Sequence, residues 1–188
     1  MKKGLIVTII IVVALVLLIG SCVGTYNDLV VKRESLDALL AQVDTQLQRR
    51  NDLIPNLVNT VKGYTIHESD AIEAVSDARA KLAGAQSTAE KSSADNELTG
   101  ALSRLLMVAE NYPDLKADTQ FTALTDELAG TENRIAVARK DYNEGAQAYN
   151  TEIKKFPRVL FANLFGFAPA EYFEASESAQ QVPEVNFE

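Results

Sequence analysis

The chain has 188 residues, 47% of them hydrophobic and only 7% aromatic, with no Trp and a formal net charge of −8. That is enough apolar material for one ordinary domain, and a mix rich in Ala, Leu, Glu and Gln favours helix over strand. The acidic balance argues against a nucleic-acid partner, because it repels phosphate. One cysteine (Cys22) and one histidine (His67) preclude an intrachain disulfide and a single-chain Cys/His zinc centre.

The first element is a membrane span. Leu5 to Val23 reads LIVTIIIVVALVLLIGSCV, 19 residues without a charge, and as a helix it covers roughly 28 Å, close to the hydrocarbon thickness of a bilayer. Leu5, Ile10, Ala14, Leu18 and Val23 mark the anchor along its length. Such a helix satisfies its own backbone, as lipid requires. Lys2 and Lys3 ahead of it, and Ile19-Gly20-Ser21-Cys22 within it, also resemble a bacterial lipoprotein signal with Cys22 as the lipidated residue. Against this, the apolar run is long for a signal peptide, so an uncleaved anchor is the leading expectation. Lys2 and Lys3 against Lys32 and Arg33 tilt the charge balance slightly toward a cytoplasmic N-terminus.

Beyond the span, Leu36, Leu40, Val43, Leu47, Ile54, Leu57 and Val61 step by fours and threes, the seam of a helix packed lengthwise on another. Arg50 fills the one seam position that is not apolar. No strong breaker intervenes, so one helix is expected from Leu5 to Lys62, ended by Gly63, with Pro55 kinking it near Asn51. A second helix is expected from about Ile66 to Leu82, with Ile72, Val75, Arg79 and Leu82 on one stripe. Gly84 to Asp95 (GAQSTAEKSSAD) reads as a loop or frayed end. A third helix covers about Asn96 to Asn111 and breaks at Tyr112-Pro113. The fourth, about Ala117 to Phe156, has the seam Phe121, Leu124, Leu128, Ile135, Ala138, Tyr142, Tyr149 and Phe156, with Thr131 and Gly145 allowing a close neighbour.

These elements define an all-α fold: an N-terminal transmembrane helix (1–24) continuing into an antiparallel bundle of about four helices, long first and last (25–174). The apolar stretch Val159 to Phe167 is expected to close one bundle end as a lid, with a membrane-surface patch or a contact for another subunit as alternatives, and residues 175–188 are expected to form an acidic flexible tail.

No phosphate-cradling loop, nucleophile elbow or paired-His motif is present. His67-Glu68 reads as a helix cap or solvated turn, and Asp114 and Asp118 as acids at a helix N-terminus. No enzymatic activity, cofactor or metal is expected. Arg49, Arg50, Glu132 and Arg134 are expected to form a polar layer between the long helices. The many asparagines read as inter-helix hydrogen-bonding groups, with a polar ligand groove as the alternative.

Several segments carry a family resemblance: Tyr26-Asn27, the QVDTQLQRRNDLIPNLV run from Gln42 to Val58, Val61-Lys-Gly-Tyr64 and His67-Glu68. Further matches are Ala109-Glu-Asn-Tyr-Pro-Asp-Leu-Lys116, Thr131-Glu-Asn-Arg-Ile135, Ala138-Arg139, Tyr142-Asn143, Tyr149-Asn150 and Phe156-Pro157. From Tyr26 to Phe173 the chain resembles the LemA family of bacterial membrane proteins. The resemblance singles out Asn27, Arg49, Arg50, Asn56, Glu132, Asn133, Arg134, Asn143 and Asn150 as family-motif polar residues. It implies an N-terminal span, a bundle with long helices, no established enzymatic activity and an N-terminus outside the cell, opposite to the charge reading. A relative at bacterial organelle membranes hints at scaffolding.

The expected function is therefore a non-catalytic scaffold or protein-interaction module, single-pass in the bacterial cell membrane. Its expected partners are the lipid bilayer and either a second copy or an unidentified membrane protein. The alternative is a membrane-anchored sensor or ligand-binding module with an Asn/Arg groove.

Overall fold

The computed structural model describes residues 2–65 and 68–174, so His67 and the expected acidic tail lie outside the described residues. Every regular element among them is a helix: α1 (Lys2–Lys62), α2 (Ser69–Gly84), α3 (Thr88–Ala109), α4 (Pro113–Lys116), α5 (Thr119–Lys154) and α6 (Arg158–Phe165). The chain is all-α, with six helices here rather than about four, because the breaks at Pro113 and Pro157 each start a short helix of their own.

The helices divide into two units, and α1 and α5 contribute to both. The first unit is Met1–Leu39 with Glu144–Ala170. In it, α1 begins with a stretch whose apolar side chains are unpartnered: Leu5, Ile10, Leu18 and Val23 are each more than half exposed, and Ala14 is exposed as well. It is the one described helix long and apolar enough to cross a membrane. Leu29 and Leu36 then turn fully inward. They pack on an antiparallel α5, where an added Cβ on Gly145 would come within 2.6 Å of Leu39 Cδ1. The close approach expected at Gly145 is therefore real. Tyr149 is buried here too, whereas Phe156, expected on the same seam, is 82% exposed, because α5 ends at Lys154 before reaching it.

The second unit is Leu40–Asn143 with Glu171–Glu188. Its core is Val43, Leu47, Ile54, Leu57 and Val61 of α1, Val75 and Leu82 of α2, Leu98, Leu102 and Leu105 of α3, and Phe121, Leu128 and Ile135 of α5. α2 packs along α3.

Three expectations change in this unit. α3 starts at Thr88, inside the segment read as a loop. Ser87 accepts a hydrogen bond from the Glu90 amide while the Glu90 carboxylate receives the Ser87 amide, so the two satisfy each other's free groups. α2 begins at Ser69 rather than near Ile66, which is outside the described residues. α5 begins two residues late, capped by Asp118, whose Oδ1 accepts from the amides of Gln120 (2.7 Å) and Phe121 (3.0 Å).

α1 runs as one helix through Pro55, as expected from the lack of a strong breaker. Proline has no amide to give the Asn51 carbonyl one turn back. Arg79 Nε of α2 donates to that carbonyl instead, at 3.1 Å. The freed backbone acceptor is satisfied from a neighbouring helix.

Candidate functional site

The polar chemistry of the second unit gathers around Arg50. Its side chain is 4% exposed, which no guanidinium tolerates without charge partners. Nη1 lies 2.7 Å from Asp95 Oδ1 and 2.6 Å from Glu132 Oε2, and Nη2 donates to Thr99 Oγ1 at 3.0 Å. The Glu132 contact is off-axis for a hydrogen bond, so it is an ion contact. Arg139 Nη1 stands 3.5 Å from the other Asp95 oxygen. Burial pushes the Asp95 carboxyl above its ordinary range; Arg50 opposes that push and Glu132 reinforces it.

Arg49, expected in the same layer, belongs elsewhere. It is exposed and pairs with Glu127 at 2.8 Å, and Arg134 meets the same carboxylate at 2.7 Å. Burial acts to raise the Glu127 carboxyl, but the two guanidiniums hold it below the usual glutamate range. The single polar layer thus resolves into a buried cluster and a surface one, since adjacent residues on a helix point about 100° apart.

A second arrangement concerns the segment 168–174, which carries no helix or strand and whose backbone is bound by side chains of α5. In the first unit, Tyr149 Oη donates to the Ala168 carbonyl (3.2 Å). Asn150 gives its Nδ2 to the Ala170 carbonyl (2.9 Å) and accepts the Ala170 amide at Oδ1 (2.8 Å). In the second unit the pattern repeats: Tyr142 Oη donates to the Glu171 carbonyl (3.0 Å), and Asn143 binds both the carbonyl and the amide of Phe173 at 2.9 Å. Each Asn amide thereby imitates the edge of a β-strand. The Tyr-Asn pair recurs after seven residues of α5, and its targets after three residues of the segment.

Arg139 joins the two features of the second unit. Its Nη2 donates to the Glu174 carbonyl (2.7 Å) and to Ser92 Oγ (3.0 Å), and its guanidinium lies 5.3 Å from the Phe173 ring centre. Phe173 is buried edge-on against Tyr142.

The remaining motif residues do not assemble with these. Asn27, Asn56 and Asn133 are exposed. Asn133 and Arg134 line an open groove of about 540 Å³ with Gln42, Thr45, Gln46 and Asp141, whereas Asn56 lines a different one. Cys22 is half-buried. Glu68 accepts a hydrogen bond from Tyr112 Oη at 3.0 Å. Sequence reasoning did not single out Asp95, Glu127 or the partnering role of Arg139. Ser87-x-x-Glu90 was the signal that could have put Asp95 on a helix.

Packed helices and one N-terminal helix long and apolar enough to cross a bilayer define a helical-bundle protein with a candidate membrane span. The chain belongs to the LemA family, whose model matches residues 39–187. Similar proteins include magnetosome protein MamQ 2 of Paramagnetospirillum magneticum, 29% identical over 88% of this chain and 71% of the relative. MamQ of Magnetospirillum gryphiswaldense is 27% identical over 86% and 69%. Protein LemA of Metamycoplasma hominis is 24% identical over 82% and 71%.

Proposed function

We propose that this chain is a non-catalytic scaffold, held in the bacterial cell membrane by a single span and associating with a second copy or with another membrane protein. The observation that carries the reading is the continuity of α1. One helix is apolar and unpartnered from Leu5 to Ile19 and contributes Leu29, Leu36, Val43 and Leu57 to packed cores. Anchor and body are thereby one element, as a membrane-fixed platform requires. The polar residues best placed for chemistry are engaged with one another or with backbone. Likeness to magnetosome proteins adds support for a role in a membrane-associated assembly.

The test is chemical cross-linking in intact membranes. Discrete cross-linked species that stay in the membrane fraction are expected; a chain that yields only uncross-linked monomer would sink the scaffold reading. The second reading is a membrane-anchored ligand-binding module, and the groove bearing Asn133 and Arg134 favours it. A thermal-shift screen of small polar compounds separates the two, since a specific ligand raises the unfolding temperature by mass action.

A further inference from the structure

Among the eight residues of α6 only Ala162 is buried, while Leu160, Leu164 and Phe165 are 58%, 74% and 51% exposed. Phe156, just ahead of the helix, is more exposed still. The one charged residue of α6, Arg158, turns onto Asp28 (2.7 Å) and Glu152. What α6 offers outward is therefore mostly hydrocarbon, which marks a contact surface rather than a solvated face.

Where α6 sits on α1 indicates what covers it. The rings of Phe165 and Phe167 meet Tyr26 edge-on, at centroid distances of 5.1 and 5.8 Å. Tyr26 is three residues past Val23, about 4.5 Å along the helix. Arg158, at the other end of α6, is tied to Asp28, the first charge after the run that begins at Gly4. Both ends of α6 are thus pinned to the turn of α1 where the apolar run stops. An eight-residue helix is only about 12 Å long, so it stays near that level. From Gly4 to Asn27 the uncharged run would rise about 36 Å, more than the hydrocarbon core of about 30 Å. Its last turn then falls among headgroups, the depth at which aromatic rings concentrate.

We propose that α6 and Phe156 lie in the interface of the bilayer that α1 crosses, with Leu160, Leu164 and Phe165 inserted among headgroups and upper acyl chains. The inference rests on α1 being membrane-spanning. Lys154, exposed at the same end of α5, suits an anionic leaflet.

Because the chain has no Trp, a single introduced indole reports depth. Leu164→Trp is conservative at so open a position, and Leu15→Trp serves as a control within the span. Each full-length variant is reconstituted in phosphatidylcholine–phosphatidylglycerol vesicles carrying bromines either near the headgroup or near the bilayer centre. The Leu164→Trp emission should be blue-shifted from that of hydrated indole and quenched most by the shallow bromines. Leu15→Trp should be quenched most by the deep ones. Quenching of Leu15→Trp alone would overturn the placement of α6 and leave the anchor standing. A blue shift at Leu164→Trp without bromine quenching would also overturn it, pointing to protein as the cover. If Leu15→Trp escapes quenching, the span itself fails, and the placement of α6 with it.

Discussion

A guanidinium stripped of water must find its counter-charges inside the protein, and Arg50 finds two carboxylates and a hydroxyl. Removing it leaves Asp95 buried beside Glu132 with only the more distant Arg139 for compensation. Arg50→Ala should therefore cost about 3–5 kcal/mol, as for other broken buried pairs, whereas Arg49→Ala, on the surface, should cost far less. Denaturant melts of the full chain in detergent would check this, and equal midpoints would contradict it. The pH dependence follows from Asp95. An acid whose carboxyl is raised in the fold is favoured there in its protonated form, so its contribution to stability falls as pH rises from the ordinary aspartate range through the raised value. Without Arg50 that loss deepens, so the deficit of Arg50→Ala should shrink on acidification. Glu127 is held low, so its contribution has the opposite sign: present above the usual glutamate range and lost as pH falls. Arg50 was legible in the sequence because it interrupts a seam that is otherwise apolar. Asp95 was not, because the small polar residues around it hide any period, and only burial distinguishes it.

Among the elements, the long helices were readable from their heptads, including the stop at Gly63 and the close approach at Gly145. Less readable were features that depend on a partner distant in sequence. The group that satisfies the carbonyl freed by Pro55 is one: Arg79, 28 residues away, donates to the Asn51 carbonyl. The lid expectation for 159–167 holds only for part of α6: Ala162 is buried and the Phe165 ring contacts Tyr26, but half of Phe165 is exposed. Phe165→Ala should thus cost less than truncation of a fully buried ring. The segment 168–174 has no periodicity of its own, and the side chains that bind it belong to α5 and, at Ser92, to α3. Asn143→Ala removes both bonds to Phe173, so the Phe173 amide should exchange with deuterium markedly faster while the α3 amides stay unchanged. Unchanged exchange at Phe173 would mean the Asn bonds do not order the segment.

At the scale of the whole molecule, the reading of the first helix as an uncleaved anchor makes its own prediction. The chain should remain in the membrane pellet after carbonate washing, and Cys22→Ser should behave identically, since Cys22 is a free, half-buried cysteine. A slower-migrating, unprocessed Cys22→Ser product would instead reveal lipidation at Cys22. The fold class and the long apolar helix were legible from composition and hydropathy alone, as was the meeting of Arg50 with Glu132; Asp95, Thr99 and Glu127 as partners were not, because they depend on how separate helices pack. The unbroken course of α1 has one more consequence. A helix transmits angle as well as distance, each residue turning about 100° and rising 1.5 Å. One residue inserted between Val23 and Tyr26 would swing the apolar stretch by about 100° relative to Leu29 and Leu36. Seven would restore its heading to within about 20° while lengthening it by about 10.5 Å. The bearing of the apolar stretch about the helix axis is therefore stored as a residue count, modulo the helical screw.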